Sequence, residues 1–247
     1  MKRRIWVIMA CCFFGGKVSA QSGNIDTAAV SVLDRMSASM GQLKSCSVTV
    51  KSEYDVTSNE LGLIKHSDDD HVYLSGQNNL LIHAEGDRGS RSIFYNGKTF
   101  TYYSGNQNRY SQIEAPGNVM EMIDHMNKKF GVVFPLADFL YPSFTDDILN
   151  EASCLVFLGM TKVNEKDCYH IAGKTRDMTF QFWIADDSSC LPLKMAIVYT
   201  DEPMSPQYEA TYSDWQINPD LSKSMFDFSV PANAQKMKIA QLASAKN

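Results

Sequence analysis

The sequence predicts an α+β fold: a curled antiparallel β-sheet, in effect a half-open barrel, with helices packed in its concave face. Three observations lead there. Runs with period-two alternation of apolar and polar residues fill the first and last thirds of the chain. Amphipathic helical stretches are confined to its start and middle. No break in composition and no fixed repeat divides the 247 residues, which points to one sheet with helices segregated to one side. A sheet of about ten strands curls instead of staying flat, and amphipathic helices are the natural lining of its hollow face.

The N-terminus reads as an export signal. Lys2, Arg3 and Arg4 form a basic start, and Ile5 to Phe14 is an apolar run too short to span a bilayer. Val18-Ser19-Ala20 supplies the small residues of a cleavage site. The expected organisation is a signal peptide over 1–20, a half-barrel domain over 21–231 and a C-terminal tail over 232–247, with a periplasmic destination. A lipobox around Ile8-Met9-Ala10-Cys11 would leave an apolar core of only about six residues, which disfavours a lipoprotein.

Losing residues 1–20 removes four of the 23 basic side chains and none of the 28 acidic ones, a net charge of −9. That balance argues against nucleic acid and anionic lipid head groups as partners. Cys46, Cys154, Cys168 and Cys190 remain; an oxidising compartment permits two disulfides in three pairings, Cys168 with Cys190 among them, or four free thiols. Their spacing is not that of a zinc site.

The first mature element is a helix. Asn24 or Asp26 can cap it, and Ala29, Val32, Leu33, Met36, Met40 and Leu43 share one face. Strands follow at Cys46–Tyr54, where Val48, Val50 and Tyr54 alternate with polar residues, and around Leu80, Ile82 and Ala84. Asn96-Gly97 is the favoured type I′ dipeptide and would set Ile93 opposite Phe100 in a hairpin over 91–103. A second helix opens at Pro116-Gly117-Asn118 and closes at Gly131, with Val119, Met122, Ile123, Met126 and Phe130 on its stripe. Pro135 starts a short greasy segment, 136–141, and Asp146 to Ala152 can form a further turn or two. Strands return at 154–161, 168–174, 179–185, 191–199 and 208–215, as in an antiparallel meander. Met225, Phe226 and Phe228 form one late apolar cluster.

Catalytic templates are absent from the sequence. None of His66, His71, His83, His125 and His170 has a zinc spacing, and neither a nucleophile elbow nor a phosphate-cradling glycine loop occurs. Asp68-Asp69-Asp70-His71 reads as a solvated turn rather than a metal site. Glu85 to Arg91 reads as surface ion pairs of small energetic worth rather than an anion site. No catalytic residue, metal or cofactor is assigned. The methionines of the second helix carry the functional signal, because this side chain adapts to irregular apolar partners. A curled sheet under such a lid leaves room for a ligand.

Several segments resemble a family of predicted periplasmic proteins of unknown function. They are Gly86-Asp87-Arg88-Gly89, Tyr95-Asn96-Gly97-Lys98-Thr99, Ala115-Pro116-Gly117 and Phe134-Pro135-Leu136-Ala137-Asp138. Asp167-Cys168-Tyr169-His170, Phe182-Trp183-Ile184, Leu191-Pro192-Leu193-Lys194, Pro206-Gln207-Tyr208 and Ser213-Asp214-Trp215 continue the pattern. That family is similar to the lipoprotein-carrier superfamily typified by LolA and LolB. The resemblance implies a half-barrel whose helices close a cavity for acyl chains. An Arg-Pro pair of the family pattern is missing around Gly76-Gln77-Asn78, which weakens a strict lipoprotein-carrier role. The function expected is a non-enzymatic periplasmic carrier for a lipid, a lipoprotein acyl chain or another apolar ligand. Its expected lining is Met122, Ile123, Met126, Phe130, Phe139 and Leu140, with Phe180, Phe182 and Ile184 from the sheet. The partners expected are that hydrophobic molecule and a membrane-bound donor or acceptor protein, with the carrier a monomer and no nucleic acid involved. The alternative is a non-catalytic structural or interaction module of the envelope.

Overall fold

The computed structural model describes residues 24–115 and 117–238; the expected signal peptide, Pro116 and residues 239–247 lie outside them. A short strand β1 (Asn24–Ile25) leads into helix α1 (Thr27–Gly41). Six strands follow: β2 (Ser45–Ser58), β3 (Gly62–Ser75), β4 (Asn79–Gly86), β5 (Arg91–Tyr95), β6 (Thr99–Ser104) and β7 (Arg109–Glu114). A helical insert comes next, with α2 (Val119–Phe130), a 3-10 turn (Ala137–Leu140) and α3 (Phe144–Glu151). The chain then returns to strands β8 (Cys154–Val163), β9 (Lys166–Lys174), β10 (Met178–Ala185), β11 (Pro192–Tyr199) and β12 (Gln207–Ile217). A 3-10 turn (Lys223–Phe226) and β13 (Gln235–Lys236) complete the described chain.

All of these strands form one sheet, in the order β1-β8-β9-β10-β11-β12-β2-β3-β4-β5-β6-β7-β13. Two antiparallel meanders, β2 to β7 and β8 to β12, join where β12 pairs with β2. The sheet curls without closing, and the helices sit in its concave face, as the sequence predicts. It is mixed rather than purely antiparallel, because β1 and β13 pair in parallel with β8 and β7 at the two ends. These two-residue caps occupy part of each exposed edge, which otherwise invites pairing with another chain. The sheet therefore extends past Pro231, through Gln235 and Lys236.

The helix ends follow from their caps. Asp26 accepts the Ala28 N–H at 2.8 Å and the Phe157 N–H at 3.3 Å, so the start of α1 is fastened to β8. Asn118 accepts the Glu121 N–H at 3.0 Å, and Gly131 closes α2 in the left-handed conformation (φ 63°) that a glycine adopts without strain. The buried faces, Ala29, Val32, Leu33, Met36 and Met40 of α1 and Val119, Met122, Ile123 and Met126 of α2, enter one core with the concave face of the sheet.

The hairpin at Asn96-Gly97 differs in register. Tyr95, not Ile93, lies opposite Phe100, and Ile93 faces Tyr102. A type I′ turn needs positive φ at both central residues; here Gly97 has it (φ 85°) and Asn96 does not. The Asn96 side chain instead accepts the N–H groups of Lys98 and Thr99, at 3.2 and 3.0 Å, which builds a longer loop. Cys46, Cys154, Cys168 and Cys190 are free. Cys168 lies in a small outer cluster with Ala185 and Leu193, whereas Cys190 belongs to the main core, so the two do not pair.

Gly173 of β9 lies opposite Phe180 of β10, and a Cβ at that position would fall 2.2 Å from the ring. Gly173→Ala is expected to cost about 1–3 kcal/mol by overpacking, read as a lower urea midpoint at unchanged m-value. An unaltered midpoint would show that the ring can turn aside.

Candidate functional site

The concave face is ordered in rows that cross the strands, because residues directly opposite each other in a sheet share a face. One row runs Cys46, Leu74, Leu80, Tyr95, Phe100 and Ile113 across β2, β3, β4, β5, β6 and β7. The next runs Val48, Val72, Ile82, Ile93 and Tyr102. Both are apolar and lie in the core. The third row changes character: Tyr212, Val50, Asp70, Ala84 and Arg91, across β12 to β5. A fourth holds Ala210, Ser52, Asp68 and Gly86, and a fifth Tyr208, Tyr54 and His66. The hollow thus passes from an apolar floor to a polar wall toward the tip of the long β2–β3 hairpin.

Asp68-Asp69-Asp70 is accordingly not a solvated turn. It lies within β3, with Asp68 and Asp70 turned inward at 7% and 4% exposure and Asp69 outward. Nor is Arg91 a surface residue of a charged turn. Its guanidinium donates to both oxygens of Asp68, at 3.0 and 2.6 Å, and Tyr54 donates to the same carboxylate at 3.1 Å. Gly86 makes this possible, since a Cβ there would stand 2.2 Å from the Asp68 carboxylate. Other charges of that turn do stay outside: His66 Nδ1 meets Asp87 at 2.8 Å at the rim.

Asp70 is treated differently from its neighbour. Arg91 comes no closer to it than 4.0 Å, and its Oδ1 is buried without a hydrogen-bond partner among the described residues. Burial pushes its carboxyl up to about 7, Arg91 opposing that shift and Asp68 and Asp69 adding to it. Facing this wall from the insert is Asp138 of the 3-10 turn, whose carboxyl is also pushed up to about 7 by burial. The Tyr208 and Tyr212 hydroxyls lie within electrostatic reach of Asp138, and burial raises both. Tyr208 also feels Asp70 and is hydrogen-bonded by Ser52.

The apolar residues that the sequence singles out do converge. Met122, Ile123, Met126, Phe139, Phe180, Phe182 and Ile184 are buried in the one core, with Phe130 and Leu140 half-buried against it. Phe139 lies edge-on to Phe182 (5.8 Å between centroids) and to Tyr212 (5.6 Å). They leave little space. The cavity beside Asp138, Phe144, Phe180 and Phe182 has a volume of ≈ 10 Å³, room for one water at most. The polar wall was missed from the sequence, although Asp68, Asp70, Val72 and Leu74 keep the alternation that would have placed them on one face.

A family model described as a predicted periplasmic protein (DUF2092) matches residues 29–240. No curated protein matches the sequence. Among solved structures, the lipoprotein LppX of Mycobacterium tuberculosis is 15% identical, with a TM-score of 0.48 over 80% of this chain and 98% of that one. LprF of Mycobacterium bovis is 13% identical, with a TM-score of 0.47 over 86% and 100%. A LolA superfamily protein of Nitrosomonas europaea is 11% identical, with a TM-score of 0.35 over 81% and 97%.

Two outcomes follow from the wall. Arg91→Met strands the buried Asp68 carboxylate and should cost about 3 kcal/mol, much of it recovered in the Asp68→Leu/Arg91→Met pair; additive losses in denaturant unfolding would contradict the pairing. Asp70 is harder to ionise folded than unfolded, so its ionisation removes stability as pH rises from about 4 to about 7. Asp70→Asn should therefore gain on the parent protein across that interval and hold the gain at pH 8. A stability difference flat with pH would show that Asp70 ionises normally.

Proposed function

We propose, starting from the fact that the chain belongs to the DUF2092 family of predicted periplasmic proteins, that it carries an apolar ligand, a lipid or acyl chain, between the helical insert and the concave face of the sheet. One observation carries the reading: apolar side chains of the insert cover the hollow, and polar ties to the rest stand at both of its ends. At the start, the Tyr95 hydroxyl donates to the Gly117 carbonyl at 2.7 Å and the Val119 N–H to Gln77 O, also at 2.7 Å. At the far end, the Ser37 and Thr145 hydroxyls meet at 3.2 Å. Between these ties lie Met122, Ile123, Met126 and Phe139. Lifting that stretch breaks no pairing between strands, since the insert contributes none to the sheet.

The interior is filled by the protein's own side chains, Met122 and Met126 among them. Methionines yield to an entering apolar ligand because they are unbranched and repack at little cost. An acyl chain that displaces them is stabilised by roughly 0.8 kcal/mol per methylene buried. Release is the reverse, with the insert settling back as the ligand passes to an acceptor at the membrane. The same tight interior also favours the second reading, an envelope interaction module whose helices only fill the sheet.

Chain length separates the two. The 1-alkanols from octanol to dodecanol should displace an apolar fluorescent probe, N-phenyl-1-naphthylamine, with affinity rising about fourfold per added methylene. Met126→Asp should abolish probe uptake, whereas Met126→Leu keeps it. A folded protein that takes up no probe, or one indifferent to alkanol length, leaves the interaction module.

A further inference from the structure

The polar wall has features that a hydrophobic core does not require, and they share one chemistry. Asp68 is satisfied by Arg91 and Tyr54. Asp70 is not: 4% exposed and on the inward face of β3, it has a buried Oδ1 without a hydrogen-bond partner among the described residues. Tyr212 lies on the same cross-strand row two strands away. It is 2% exposed, and its hydroxyl too has no partner among the described residues. Asp138 approaches from the insert and borders the ≈ 10 Å³ cavity, so the group adjoins the space a ligand would enlarge. Tyr208, two rows nearer the hairpin tip, is electrostatically in reach of both acids.

With Arg91 committed to Asp68, what remains are two carboxyls and two tyrosines, none of them positively charged. Once ionised, the carboxyls repel an anionic head group. The set suits a positively charged nitrogen, which carboxylates attract and tyrosine rings hold by cation–π contact.

We propose that Asp70, Asp138, Tyr208 and Tyr212 form a head-group site for a cationic amphiphile, an alkyl ammonium whose tail lies along the apolar floor. This rests on the apolar-carrier reading and names the class of its ligand. The site charges with pH: Asp70, under the influence of Asp68, Asp69 and Arg91 and within reach of Tyr208, and Asp138, within reach of Tyr141, Tyr208 and Tyr212, are both protonated well below about 7 and ionised above it. Binding of a fixed cation therefore tightens as pH rises.

The test is displacement of N-phenyl-1-naphthylamine by three ten-carbon amphiphiles below their micelle concentrations: decyltrimethylammonium, decyl glucoside and decyl sulfate. Neither charged head titrates. At pH 8 the ammonium should compete at least tenfold better than the sulfate, with the glucoside between, and the ratio should shrink at pH 5.5. Asp70→Asn combined with Asp138→Asn should bring the ratio near one at pH 8. Glu53→Gln, which removes an outward-facing charge of the same sign, should leave it alone and so excludes a general effect of net charge. Probe uptake with equal competition by ammonium and sulfate, or with sulfate ahead, overturns the head-group site and leaves the apolar carrier standing. Absence of probe uptake by the folded protein overturns both.

Discussion

Among the described residues the concave face of this sheet has no second sheet to pack against, and its apolar rows must still be kept from water. That constraint decides what the rest of the chain does. Helix α1 covers the β8 side, fastened there by Asp26, and the insert between β7 and β8 covers the remainder with Met122, Met126 and Phe139. A sandwich would cover such a face with strands whose loss breaks a hydrogen-bonded ladder. Here the cover is a segment outside the sheet, held across its middle by apolar contact. Burial of this kind is non-directional and scales with area. It can be exchanged for burial against another apolar surface without a large net change, which is the physical basis for regarding the insert as displaceable.

Much of this was legible in the sequence where local chemistry decides the structure. Asn118 and Gly131 bound α2 because a side-chain acceptor and a left-handed glycine are local requirements. The alternation in Phe180, Phe182 and Ile184 was enough to put them together in the core. What failed depended on partners distant in sequence. Three consecutive aspartates look like a solvated turn until Arg91 is known to stand two strands away with Gly86 making room for the contact. The strand β3 disappeared from view for that reason. The hairpin register failed on a finer point, since Asn-Gly permits a type I′ turn without imposing one when the Asn96 side chain captures the next backbone N–H groups. The apolar residues read as a lining share one core, while the polar wall becomes visible only through the cross-strand rows.

The wall is also where the fold gives up stability. Val72 and Leu74 follow Asp70 on the same face of β3, and an apolar residue at that position would continue the row. Replacing buried ionic groups by well-packed apolar ones is often neutral or stabilising. Asp68 at least recovers its desolvation through a bidentate guanidinium and a tyrosine hydroxyl. Asp70 recovers little, and its unmade hydrogen bond costs the folded state while it stays unpaired. The same holds for the Tyr212 hydroxyl on that row. The fold gains nothing in packing from these two unpartnered polar groups on the inner face of its sheet. In the head-group reading proposed above, a polar group entering from the insert side would satisfy them, and the order of the rows would leave its hydrocarbon on the apolar floor.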